Sequence, residues 1–149
     1  MKIEHGTLVM VADGAKLLLF RNEGDEKYAV LETLANEQQR SPASHEQGTD
    51  APGRSFASIG TARSSYEETD WHQQAEDAFA RHVAAVLERS AANHPEAGIV
   101  VIAAPRTLGE LRKAYGRMTA VRLLAEIDKE LADHTTDDVI AALAAHSDS

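Results

Sequence analysis

Apolar positions change their period several times along this chain, and each change marks an element. Residues 7–12 and 16–21 are apolar, β-rich runs separated by Asp13-Gly14, a favoured type I′ turn, so the chain predicts a hairpin at its start. After the turn-forming Asn22-Glu23-Gly24-Asp25, residues 28–34 predict a third strand carrying Tyr28, Val30 and Leu31. From 36 to 69, Ser, Gly, Pro, Gln and charge dominate without a period of 2 or 3.6, which predicts one long loop. Loops of that length in compact domains are generally either functional or disordered.

Helical signals take over at Thr69-Asp70, a cap with Glu67 and Glu68 near the positive end of the dipole. From 71 to about 92, Ala75, Ala78, Phe79, His82, Val83, Val86 and Leu87 recur at helical spacing and predict a helix lying on a sheet. His82, on that face, reads first as a packed core histidine. Asn93-His94-Pro95 ends the helix, because proline drives its predecessor out of the α region. Residues 98–103 are continuously apolar, as expected of a strand buried on both faces. Past Pro105, Leu108, Leu111 and Tyr115 space out a short helix. Val121, Leu123, Ala125 and Ile127 then alternate with Arg122, Leu124, Glu126 and Asp128, which suggests a strand while Ala and Leu keep a helix open. Thr135-Thr136-Asp137-Asp138 starts a last helix, with Val139, Ile140, Leu143 and Ala144 as its apolar face. This order predicts a single α/β domain over residues 1–149, a mixed sheet of about five strands with helices packed on it.

Composition narrows the chemistry. A chain of 149 residues buries roughly two thirds of its unfolded surface, and with 5% aromatic residues its core must rest on Ala, Val, Leu and Ile. The absence of cysteine excludes thiolate zinc sites, disulfides and thiol nucleophiles. Residues 8–11 are too short an apolar run to span a bilayer, and Met1-Lys2-Ile3-Glu4-His5-Gly6 builds no signal core, so the cytoplasm is the expected location, with no membrane partner. The net charge of −9 opposes nonspecific binding to phosphate backbones. It conceals an asymmetry: Arg106, Arg112, Lys113, Arg117 and Arg122 stand against Glu110 alone between 105 and 122, whereas acids crowd 23–37, 67–77 and 126–138. A basic patch on an acidic body is one reading, and solvated faces of amphipathic elements are the other.

Candidate sites are few. In Gly48-Thr49-Asp50-Ala51-Pro52-Gly53-Arg54-Ser55-Phe56, Pro and Gly can fix a turn while Arg54 offers a planar fork for carboxylate or phosphate; the alternative is a plain structural turn. Arg106 and Thr107, at the start of the short helix, make a conceivable anion site just beyond a strand's carboxyl end, or an ordinary connection. Asp13 is better explained by turn chemistry than as a carboxylate of a two-metal nuclease. His72 and Glu76 share a helix face at i and i+4 but lack an evident third metal ligand. Ser41, Ser44, Ser55 and Ser58 stand in the loop outside any nucleophile-elbow motif.

Several phrases together carry a resemblance over nearly the whole chain. Residues 9–20, Val-Met-Val-Ala-Asp-Gly-Ala-Lys-Leu-Leu-Leu-Phe, are followed by Asp50-Ala51-Pro52-Gly53-Arg54-Ser55 and Phe79-Ala80-Arg81. Ala104-Pro105-Arg106-Thr107-Leu108-Gly109-Glu110-Leu111-Arg112 and Ile127-Asp128-Lys129-Glu130-Leu131 complete the set. In that order they resemble the bacterial family labelled host attachment protein, or protein required for attachment to host cells. That family looks like a divergent relative of the central domain of archaeal and eukaryotic peptide-chain release factors, which implies a ribonuclease-H-like sheet. The chain departs from the family pattern at Ala51, where arginine is usual, at the single Pro105, and at Glu130, where aspartate is usual. It also lacks the Gly-Gly-Gln of a release factor's catalytic loop, whose paired glycines give the backbone freedom that brings the glutamine to the ester. Peptidyl-tRNA hydrolysis is therefore disfavoured.

The reading these observations favour is a noncatalytic binding domain that contacts the ribosome, RNA or an acidic protein partner, without cofactor or metal. Its candidate contacts are Asp50, Pro52, Gly53, Arg54, Arg106, Gly109, Arg112 and Lys129. The label of host attachment is expected to reflect an indirect role. The alternative is a hydrolase of nuclease or esterase type that uses the 36–69 loop as a lid.

Overall fold

A computed structural model of the chain describes residues 1–39 and 54–146, with side chains described from residue 71 onward within its long helix. The elements run β1 (Leu8–Ala12), β2 (Lys16–Asn22), β3 (Leu31–Gln38), α1 (Arg54–Asn93), β4 (Ile99–Ala103), α2 (Pro105–Ala114), α3 (Arg117–Arg122), β5 (Leu123–Asp128) and α4 (Thr136–Ala145). The sheet has the order β3-β2-β1-β4-β5. β1 pairs antiparallel with β2 and parallel with β4, β3 pairs antiparallel with β2, and β4 pairs parallel with β5. The two continuously apolar runs take the centre, where every residue of β1 and β4 is buried.

Alternate strand residues feed two cores. Leu8, Met10, Leu17, Leu19, Ile99 and Val101 meet Phe79, Val83, Leu87, Leu108 and Leu111 from α1 and α2. Val9, Val11, Phe20, Val100, Ile102 and Ile127 meet Leu131, Val139, Ala142 and Leu143 on the α4 side. The molecule is thus three layers, helices on both faces of a mixed sheet. Each fully buried leucine in these layers contributes roughly 1.5–3 kcal/mol.

The hairpin forms where expected, but its turn is not type I′. Among the described residues only Gly6 has a positive φ, and type I′ needs positive φ at both central positions. Instead the Asp13 carboxylate accepts from the amides of Ala15 and Lys16 at 2.8 and 2.7 Å, so a side chain closes the turn. The third strand lies three residues later than the sequence predicts. Asn22 Oδ1 accepts from the amides of Gly24 and Val30, and Asp25 Oδ1 from those of Lys27 and Tyr28, which holds 22–30 as a loop and leaves Tyr28 exposed.

The expected loop over 36–69 is corrected at both ends: 36–38 belong to β3, and the chain is helical from Arg54. The cap expected at Thr69-Asp70 accordingly lies inside α1. Ser and Thr cost a helix only a few tenths of a kcal/mol each. A helix anchored by the packing of 79–91 therefore propagates back through them as far as Arg54. The strand expected from 121 begins only at Leu123, because 117–122 are helical.

The edge strands share a defect. Ile99 pairs with Leu123 but Val100 with Ala125, and Leu19 pairs with Ala35 but Phe20 with Thr33. Leu124 and Leu34 are therefore extra residues, each bulged and partly exposed. Bulges of this kind twist an edge away from further strand pairing. The β5 bulge also puts Leu123 on the α1 side and Ala125 on the α4 side, against the simple alternation read from the sequence.

Candidate binding face

The layer formed by α1, α2 and α3 carries the asymmetry seen in the sequence. Residues 71–122 hold seven Lys and Arg against five Asp and Glu, while residues 123–146 hold one Lys against six acids. Glu130 and Asp133 in the loop before α4 and Asp137 and Asp138 on α4 make that side anionic, whereas Glu126 turns from β5 to the α2 side, where the described side chains from residue 71 to 122 carry a small excess of cations.

Within the cationic layer, most of the segment from 105 to 122 is committed to internal contacts. Arg106, near the start of α2, places Nη2 3.9 Å from Glu76 Oε1 on α1. Glu76 in turn packs against the hairpin tip, where a Cβ on Gly14 would stand 2.4 Å from its Oε2, so the missing side chain admits the close approach. Arg112 reaches the other way, 2.8 Å from Glu126 Oε1 on β5, and Tyr115 donates its hydroxyl to Glu126 Oε2 at 2.7 Å. Burial first, and that hydrogen bond second, raise the Tyr115 phenol above its ordinary value and keep it a donor. Lys113 lies 3.1 Å from Glu110. Arg122 donates to the carbonyls of Ala91 at 2.6 Å and His94 at 2.7 Å, at the end of α1.

Three cations remain. Arg81, Arg89 and Arg117 are exposed and have neither an ion pair nor a hydrogen bond among the described residues. Arg81, Ala85 and Arg89 recur at i, i+4 and i+8, so the two guanidinium groups rise from one stripe of α1, about 12 Å apart along the axis. Beside that stripe lies a groove of about 470 Å³ between α1 and α2, floored by Ala84, Ala85, Ala114 and Gly116 and flanked by Arg81 and Lys113. Its carboxylates are occupied: Asp77 accepts from Gln73, Glu110 pairs with Lys113, and Glu88 caps α3. Glu88 Oε1 accepts from the Thr119 amide at 2.9 Å and hydroxyl at 3.0 Å, and Oε2 from the Met118 amide at 3.1 Å.

The sequence candidates are not brought together. Asp50, Pro52 and Gly53 lie outside the described residues, as does the side chain of Arg54, which opens α1. Along α1, 22 residues separate Arg54 from Glu76, the partner of Arg106, about 33 Å of helix. Arg106 and Arg112 sit on α2 but turn to different neighbours. Gly109 faces open space, since a Cβ there would meet nothing within 4 Å. Lys129 is exposed directly beyond β5. His82 is not a core residue: it is exposed, its Nε2 2.7 Å from Glu37 Oε1 on β3 and its ring against Phe79. Among the described residues, no three His, Asp or Glu side chains are grouped to hold a metal ion. Arg81 and Arg89 were readable as a helical stripe, but only the fold shows that their neighbours leave them free.

Fold and face together define a three-layer α/β protein that presents one helical layer with unpaired cations. A family model, bacterial archaeo-eukaryotic release factor family 12, matches residues 6–143, and the chain belongs to that family. No curated protein was found to match it. The release-factor relationship implied by the sequence resemblance thus holds. Among the described residues, no helix is long and apolar enough to cross a membrane.

Proposed function

We propose that the chain is a noncatalytic, translation-associated binding domain that docks through its α1–α2 face on RNA of the translation machinery. The observation that carries this reading is the segregation of charge: free Arg81 and Arg89 beside the α1–α2 groove on one face, and the acids of 130–138 around α4 on the other. A polyanion is attracted to the first and repelled by the second, so the charge sets the orientation of encounter even though the whole chain is anionic. Arg106, Arg112 and Lys129 would extend the contact, as would the segment around Asp50, Pro52, Gly53 and Arg54. The order β3-β2-β1-β4-β5 is compatible with a ribonuclease-H-like ancestry for a single domain of this kind. An attachment phenotype would then be indirect, a consequence of altered translation.

The test is fluorescence anisotropy with labelled ribosomal RNA fragments over a salt series. Arg81→Glu with Arg89→Glu should weaken binding at least roughly tenfold and lower the slope of log K against log salt by about one for each lost phosphate contact. Equal affinity and slope in wild type and variant would sink the RNA reading. Binding of a polyglutamate competitor with the same dependence would instead assign the face to an acidic protein.

A further inference from the structure

Helix α3 shows solvent its apolar side. Thr119 is its buried residue, whereas Met118 and Val121 are 44% and 78% exposed. Leu124, the bulged residue of β5, follows at 57% exposed and packs over Gly98, where a Cβ would come within 2.6 Å of its Cδ1. The inversion has a cause on the inner side. Glu88 draws in the amides of Met118 and Thr119 and the Thr119 hydroxyl, and Arg122 is drawn onto the end of α1. What is left outward is apolar. Scattered exposed hydrophobes need no explanation, but three large ones within seven residues mark an interaction surface.

The charges at its rim identify the occupant. Arg117 precedes Met118 at one end. Glu96 stands at the other, in the α1–β4 connection whose His94 and Ala97 carbonyls hold Arg122 and whose Gly98 seats Leu124. Both are exposed, and neither has an ion pair or hydrogen bond among the described residues. In a two-fold contact each residue meets the partner of its own counterpart, so an apolar centre with opposite free charges at its two ends is complementary to itself. We propose that the patch of Met118, Val121 and Leu124 is the interface between two copies of this chain, with Arg117 of each copy against Glu96 of the other. The bulge at Leu124 interrupts the β5 ladder, so the copies associate through side chains rather than by extending the sheet. The patch is small, which places the dimer in the weak, concentration-dependent class.

Sedimentation equilibrium over a concentration series tests this, with thermal melting of every variant alongside. Wild type should pass from monomer to dimer. Val121→Asp, at a largely exposed position, should melt like wild type and weaken association roughly ten- to a hundredfold, because it presses an unpaired carboxylate into the apolar centre. Arg117→Glu alone should weaken association by setting like charges together, and Arg117→Glu with Glu96→Arg should restore it to within roughly threefold. A wild type that stays monomeric throughout, or a dimer that survives Val121→Asp, would overturn the proposal. Failure of the double swap to recover what the single swap loses would overturn the two-fold arrangement. Because the RNA test alters Arg81 and Arg89, the two readings fail separately.

Discussion

Gly116 has room for a hydrogen and little else, because the Glu88 carboxyl lies where its Cβ would be, with Cδ at 2.2 Å and Oε1 at 2.4 Å. The crowding exists because that carboxylate caps α3 from a different helix. Gly116→Ala would push Glu88 off the amides of Met118 and Thr119, and we expect it to cost about 1–2 kcal/mol in urea unfolding. In a Glu88→Ala background the same change should cost almost nothing, since both remove one contact. A full penalty in both backgrounds would mean that Gly116 serves some other purpose. The same hydrogen bonds, the Thr119 amide first, hold the Glu88 carboxyl below its ordinary 4.5, with burial opposing. A carboxyl lowered in the folded state stabilises it above the unfolded value, and that contribution disappears as pH falls through the lowered folded value. Glu88→Gln should therefore flatten the acid limb of stability below about pH 4.5 and leave the neutral-to-alkaline limb unchanged. None of this was legible in the string, where Glu88 is one polar residue among several on a helix and Gly116 reads as a simple break.

At the scale of elements, the end of α1 depends on a residue 25 to 31 positions further along the chain. Arg122 spreads one guanidinium over the carbonyls of Ala91, His94 and Ala97, with the last at 3.4 Å, neutralising the negative end of the longest helix. Arg122→Ala should cost about 1–3 kcal/mol and speed amide hydrogen exchange selectively in the last turns of α1. Arg122→Lys should recover less than half of the loss, because an ammonium lacks the planar fork that reaches several carbonyls. Uniform exchange across all helices would contradict the capping role. Where a continuous apolar run or a proline governs an element, the sequence was sufficient: β1, β4, the end of α1 and the start of α2 lie where the pattern puts them. It failed where side chains at a distance override local preference. Asn22 and Asp25 delay β3, downstream packing carries α1 back through serine-rich sequence, and Glu88 together with Arg122 turns a strand-like alternation into α3.

For the whole molecule, the sheet converts a charge asymmetry along the chain into one between faces. Sequence alone could count the arginines of 105–122, but pairing made most of them structural and moved the free cations to Arg81, Arg89 and Arg117. Surface ion pairs such as Arg112–Glu126 contribute only about 0–1 kcal/mol, so their effect here is chiefly to set which charges remain available. The most direct test of this account is co-sedimentation with ribosomes, comparing wild type, Arg81→Glu with Arg89→Glu, and an acidic-face control, Glu130→Gln with Asp137→Asn. We predict that wild type and the control pellet with ribosomes and that the α1 variant remains in the supernatant. Equal pelleting of all three, or loss in the control alone, would contradict the assignment of the α1–α2 face.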